Sequence, residues 1–144
     1  MLFRSLRSPD AIVLPMDLGS VLVDGRHHWF AAHLVARRSW WRGRVVAVMN
    51  AQWLGSWDVA PRSHPNDGLL DVFDVSMSVG DRLKARSRLP LGTHVPHPDI
   101  AQQRVSSLQV ELGRPTPIRL DGELVGKASA LSLRIEPDAL ICVV

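Results

Sequence analysis

The sequence carries a single cysteine, Cys142, in 144 residues, so no disulfide can form within the chain. Cys142 sits in the apolar run Leu140–Val144, which predicts an unreactive core thiol and suits a reducing compartment. Glycine is thinly spread. No two of the ten lie closer than four residues, so Gly-Gly, Gly-x-Gly and Gly-Lys-Ser/Thr are all missing. Loops that cradle nucleotide phosphates use such glycines to let backbone amides approach. The chain by itself is therefore not expected to hold a nucleoside triphosphate. Long hydrophobic runs are missing as well. The basic stretch Met1–Ser8 leads into a short apolar patch that Pro15 and Asp17 interrupt, which fits neither a secretory leader nor a membrane span. These absences predict a cytoplasmic protein, with peripheral membrane contact left open.

What is present describes one ordinary globular domain over residues 1–144. Hydrophobic residues make up 46% and charged residues 22% of the chain. A domain of this size buries roughly 70% of its unfolded surface and needs neither disulfide nor metal to form a core. Net charge is +3, and 15 of the 17 basic side chains are arginine. Arg37, Arg38, Arg42 and Arg44 crowd around Trp40 and Trp41 with no acid among them. Three readings stay open for this cluster. It could meet an anionic membrane surface, bind nucleic acid, or pack its indoles on the core with the arginines solvated. No recognised binding module accompanies it, so nucleic acid is the weakest of the three.

The pattern of elements is mainly β. Val21–Val23 and Trp29–Ala31 flank Asp24-Gly25 as a hairpin with a tight primed turn. Arg44–Asn50 reads as a strand buried on both faces, and Leu69–Val75 as a strand whose imperfect alternation suggests a bulge. Ser78 with Asp81 predicts a capped helix, with Arg82, Lys84, Arg86 and Arg88 on its exposed face and Pro90 as its stop. Further strands are expected near 103–111, 116–120, 130–136 and 139–144, separated by Gly113-Arg114-Pro115, Asp121-Gly122-Glu123 and Pro137-Asp138. Many short strands with one basic helix predict a two-layer β-sandwich or barrel-like domain. His94 and His97 invite a zinc reading, but Pro96 and Pro98 prevent both rings from being presented on a helix.

The most informative stretch is Asn50-Ala51-Gln52-Trp53-Leu54-Gly55, then Val59-Ala60-Pro61, then Asn66-Asp67-Gly68-Leu69-Leu70-Asp71-Val72. Physically it is a strand end, a glycine turn, a proline loop and a polar turn feeding another strand. Downstream lie Leu91-Gly92-Thr93-His94, His97-Pro98, the strand Pro117-Ile118-Arg119-Leu120 and the turn Asp121-Gly122-Glu123. In order and spacing this set resembles the C-terminal domain shared by bacterial diacylglycerol kinases and sphingosine kinases. Met16-Asp17-Leu18-Gly19 is similar to the strand that enters that domain. The family's N-terminal nucleotide-binding α/β domain, with its Gly-Gly-Asp-Gly run, has no counterpart in these residues.

The resemblance implies a site as well as a fold. It implies a structural Mg²⁺ held by the Asp67 carboxylate with the backbone carbonyls of His64 and Leu69, and one carboxylate can suffice for an ion that keeps several waters. The competing reading of Asp67 is a side chain bonded to its own turn. It also implies catalytic roles for Glu123, as the base toward a lipid hydroxyl, and for its partner Asp121. A plain hairpin turn explains Asp121-Gly122 equally, since Asp24-Gly25 repeats the pair. The expected function is a stand-alone lipid-binding domain for a diacylglycerol-like lipid, or the substrate-side half of a split lipid kinase. ATP would enter only through a separate nucleotide-binding chain. The alternative is a non-catalytic pseudoenzyme or dimerising interaction module, whose exposed apolar sheet surface a homodimer would cover.

Overall fold

The computed structural model describes residues 9–94 and 97–143. Ten strands and one α-helix follow in chain order: β1 Val13–Val23, β2 Arg26–Phe30, β3 His33–Arg37, β4 Val45–Met49, β5 Trp53–Leu54, β6 Trp57–Asp58, β7 Leu70–Val75, α1 Val79–Arg88, β8 Ile100–Val105, β9 Ser107–Leu120 and β10 Glu123–Val143. Eight strands form one antiparallel sheet in the order β2-β1-β10-β9-β3-β4-β7-β8, and β5 pairs with β6 alone. The sheet does not close, since β2 and β8 remain its edges. It curls until side chains from both ends meet. Val21, Phe30, Leu34, Val48, Leu70, Ile118, Leu131 and Leu133 all bury into one core. This is the expected mainly β sandwich-like architecture.

Long strands bend to serve both layers. β9 and β10 pair over Leu120–Thr116 and again over Glu111–Ser107, with register shifts near Gly126 and Ala128/Ala130. Bulges and bends of this kind let one strand turn a corner between packed sheets. The breaks expected at Gly113–Pro115 and Pro137-Asp138 are therefore bends within continuous strands. Gly113 adopts φ 78° and Asp138 φ 52° without ending either one. The bulge expected in β7 is not there: its register to β4 and to β8 is regular. Its alternation is imperfect because it is covered on both faces.

The second cover is a smaller apolar layer on the outer face of β4 and β7. Ala47, Met49, Val59, Ala60 and Phe73 pack there with Leu54, Trp57, Leu89 and Ile100. This layer explains why all of β4 is buried. α1 lies over it, capped as expected, with the Asp81 N–H donating to Ser78 Oγ at 3.2 Å. The helix continues through Pro90 as a 3₁₀ turn, Leu89–Leu91, before Gly92 ends it at φ 64°. Arg82 is not on the exposed face. It is buried, and its guanidinium donates to the carbonyls of Met77 and Trp40 at 2.9 Å each and of Gly43. Cys142 likewise departs from expectation. It is half-buried near the end of β10, with its thiol 3.0 Å from the Met16 sulfur, outside the main core.

Candidate functional site

A network of polar groups, with Asp17 and Asn50 buried and Asp121 exposed at its rim, ties together segments far apart in sequence. Asp121 opens the β9–β10 turn in the left-handed conformation at φ 49°. Its carboxylate accepts from the backbone N–H groups of Ala31 at 2.8 Å, Ala32 at 2.8 Å and His33 at 2.9 Å. Asn50, fully buried at the end of β4, donates its amide to the carbonyls of Ala31 and Asp17. Asp17 sits in the irregular stretch of β1, 1% exposed. Its two oxygens accept from Gly68 N at 2.7 Å and Asp138 N at 2.9 Å. Buried carboxylates are tolerable only when donors converge on them in this way. The chain of contacts thus runs from the Asp121 turn through Asn50 and Asp17 to the Asp67-Gly68 loop.

That loop carries a second charged group. Asp67 Oδ1 accepts from its own turn at Leu69 N, 3.0 Å away, and Oδ2 pairs with the Arg104 guanidinium. Arg104 Nε also lies 3.1 Å from Asp71 Oδ1. Arg104 and Asp71 face each other across β8 and β7, where opposite charges attract. Asp71 is 1% exposed, and burial pushes its carboxyl above the ordinary value, with Arg104 and then Ser63 pulling it back. One arginine therefore bridges two carboxylates.

Glu123 lies two residues beyond Asp121 at the start of β10. It is exposed and makes no hydrogen bond or ion pair among the described residues. Beneath α1 lies a cavity of about 110 Å³, walled by Trp40, Trp57, Phe73, Met77 and Leu89 among other mostly apolar side chains. Arg82 and the buried His94 are its polar members, and desolvation holds the His94 pKa below its ordinary value. A larger concavity of about 720 Å³ is a shallow trough beside Leu22, Gln109, Lys127 and Ser132. Neither Asp121 nor Glu123 lines it.

Residues 18–144 match the family model of the YegS C-terminal, NAD kinase β-sandwich-like domain. The chain belongs to that family. The fold is shared with a solved structure described as a diacylglycerol kinase from Bacillus anthracis str. Sterne, at a TM-score of 0.69 and 15% identity. A second structure described as a diacylglycerol kinase, from the same organism, has a TM-score of 0.62 and 16% identity. Both matches cover 90% of this chain, which spans only 57% and 53% of those proteins. No curated protein matches the sequence. The resemblance read from the motifs, to the C-terminal domain of a lipid kinase family, agrees with these matches.

Within this YegS-type domain the expected site residues fall into two groups. Asp121 and Asp67 connect through the polar network, whereas Glu123 stands outside it with free oxygens. Of the expected magnesium set, Asp67 with the carbonyls of His64 and Leu69, the carboxylate lies at the far end of this network. Asp67 pairs with Arg104 and accepts from its own turn at Leu69 N–H. The motif reading places Asp17 only in the strand entering the domain, with no role at the site, and it misses Arg104. Asp17 gave only the weak signal of an acid inside an apolar strand. Arg104 could have been found by setting the polar run Gln102-Gln103-Arg104 against Asp71 as a cross-strand partner.

Proposed function

We propose that this domain binds a diacylglycerol-like lipid and forms the substrate side of an ATP-dependent lipid kinase whose nucleotide-binding domain lies outside these 144 residues. The observation that carries the reading is the apolar cavity beneath α1. Aromatic and aliphatic walls with one or two polar members are what a lipid tail requires. At about 110 Å³ the cavity equals the liquid volume of about four waters, so it takes the end of an acyl chain without movement. A longer chain needs α1 to lift.

In such a kinase the lipid hydroxyl attacks the γ-phosphorus of ATP. The new O–P bond forms as the bond to ADP breaks, and Glu123 accepts the hydroxyl proton. Asp121, engaged by three backbone N–H groups, is the positioning residue that holds the turn. The test is a thermal shift with a short-chain diacylglycerol, followed also by the fluorescence of Trp40 and Trp57, which meet edge-to-face at 5.5 Å. The lipid should raise the melting temperature of the wild type and leave Ala85→Leu, which fills the cavity, unmoved. An equal shift in both proteins, or none in either, refutes the reading.

A dimerising module is the second reading. It is favoured by the apolar ribbon that the first residues of β1 and the last residues of β10 form beyond the core. Val13 and Leu14 are exposed there, with Leu140, Ile141 and Val143.

A further inference from the structure

Arg38, Arg42 and Arg44 of the cluster stay exposed and border a cleft. Arg38, Ser39, Arg42, Gly43 and Arg44 form one wall, and Leu112, Arg114 and Thr116 of β9 form the other. The enclosed volume is about 370 Å³, the liquid share of about a dozen waters. Four arginines and no acid line it. Arg44 is neutralised by a two-pronged pair with Asp74, at 2.9 and 2.7 Å. Arg38, Arg42 and Arg114 have no ion-pair partner among the described residues. Glu111, the nearest acid in sequence, faces the neighbouring hollows, and only its carbonyl meets Arg44.

The loop that carries these side chains is held from beneath. Buried Arg82 binds the carbonyls of Trp40 and Gly43, which fixes both ends of the turn between Arg38 and Arg44. Arg37 lies over the Trp40 ring at 4.2 Å, and Ser39 Oγ accepts the Trp41 N–H at 3.1 Å, leaving its hydroxyl proton for a ligand. Like charges held close together on a fixed loop raise the positive potential of the cleft.

We infer that this cleft binds a phosphate ester, with Arg38, Arg42 and Arg114 as its ligands. Guanidinium groups present planar forks of N–H donors that match phosphate oxygens in pairs, and three such forks suit a doubly charged tetrahedral group. The concave, short lining fits one phosphate better than a polymer backbone. The phosphate could sit on a lipid headgroup or on a soluble metabolite. The inference is independent of the lipid-kinase reading, because soluble phosphate tests it alone.

Calorimetry with inorganic phosphate and glycerol 3-phosphate provides that test. Arg38→Ala, Arg42→Ala and Arg114→Ala should each weaken binding about tenfold, as expected for lost charge-assisted hydrogen bonds. Arg26→Gln, a charge removal on β2, should not. All four side chains are exposed, so the variants should keep the wild-type melting temperature. Flotation with phosphatidylcholine vesicles containing phosphatidate or phosphatidylserine at matched charge then separates the sources. Preference for phosphatidate, lost in the alanine variants, assigns a lipid headgroup. Soluble binding with no vesicle preference assigns a free phosphate ester. Absence of phosphate binding at millimolar concentration, or an equal loss in Arg26→Gln, overturns the inference.

Discussion

Asp121 and Glu123 show how two carboxylates in one turn take different physical roles. The N–H groups of Ala31, Ala32 and His33 lose a shared charged acceptor if the Asp121 side chain is removed, and water takes its place because the turn is exposed. Asp121→Ala should therefore cost about 1–2 kcal/mol in urea unfolding, while Glu123→Gln should leave stability unchanged within ~0.5 kcal/mol. Equal effects of the two substitutions would contradict this division. The motif named both residues but could not separate them, because an Asp-Gly turn reads the same with its carboxylate free or bonded. Asp71 adds a pH-dependent term. Its folded pKa is raised by burial, so the native state binds the proton more tightly than the unfolded chain does. The resulting stabilisation is complete below the ordinary carboxylate value of 3.8 and is lost as pH rises through the higher folded value. Across that window Asp71→Asn should show a smaller fall of stability with rising pH than the wild type. Denaturation midpoints measured at a series of pH values check it, and an unchanged slope would refute it. Arg104 was illegible for a different reason. Its meaning depends on register, and register is set by the pairing of β7 with β8, which the residues of either strand alone do not specify.

Among the elements, those with local signals were legible. The Asp24-Gly25 hairpin forms with both residues left-handed, at φ 49° and 72°, and Ser78 caps α1. The continuity of β9 and β10 was not legible, since Gly113 and Pro137-Asp138 carry turn chemistry that tertiary pairing overrides. The burial of Arg82 was hidden too. Its helical position reads as solvent-facing until the loop from Arg38 to Arg44 folds over it. A close approach between β1 and β2 also left no trace in the pattern. Gly19 lies against Phe30, and a Cβ there would come within 2.1 Å of the ring. Phe30 is 1% exposed and part of the main core, so it has little room to move aside. Gly19→Ala should destabilise the domain by about 1–3 kcal/mol through overpacking. The double substitution Gly19→Ala with Phe30→Leu should recover part of that loss, because the smaller side chain vacates the site. Additive losses in the double variant would show that the ring contact is not the cause.

At the scale of the whole molecule, the sheet wraps its core but leaves a two-stranded ribbon outside it. Val13 pairs with Val143, Leu14 with Cys142, Pro15 with Ile141 and Met16 with Leu140. β2 joins β1 only from Gly19 onward, and β9 joins β10 only up to Arg134, so among the described residues no further strand pairs with either long edge of the ribbon. Open edges with apolar side chains are templates for further strand pairing. Ile141 is 67% and Val13 61% exposed, in a position that solvent does not favour. The 144-residue chain should therefore self-associate, and sedimentation velocity over a range of concentrations should show its mass rising with concentration. Ile141→Lys should hold the protein monomeric, since the lysine keeps its charge in water and opposes edge pairing. It should leave the melting temperature of dilute protein unchanged, because the side chain contributes nothing to the core. A wild type that stays monomeric at every concentration would remove the basis for the dimerising reading. A variant that associates as the wild type does would place the contact on a surface other than the ribbon.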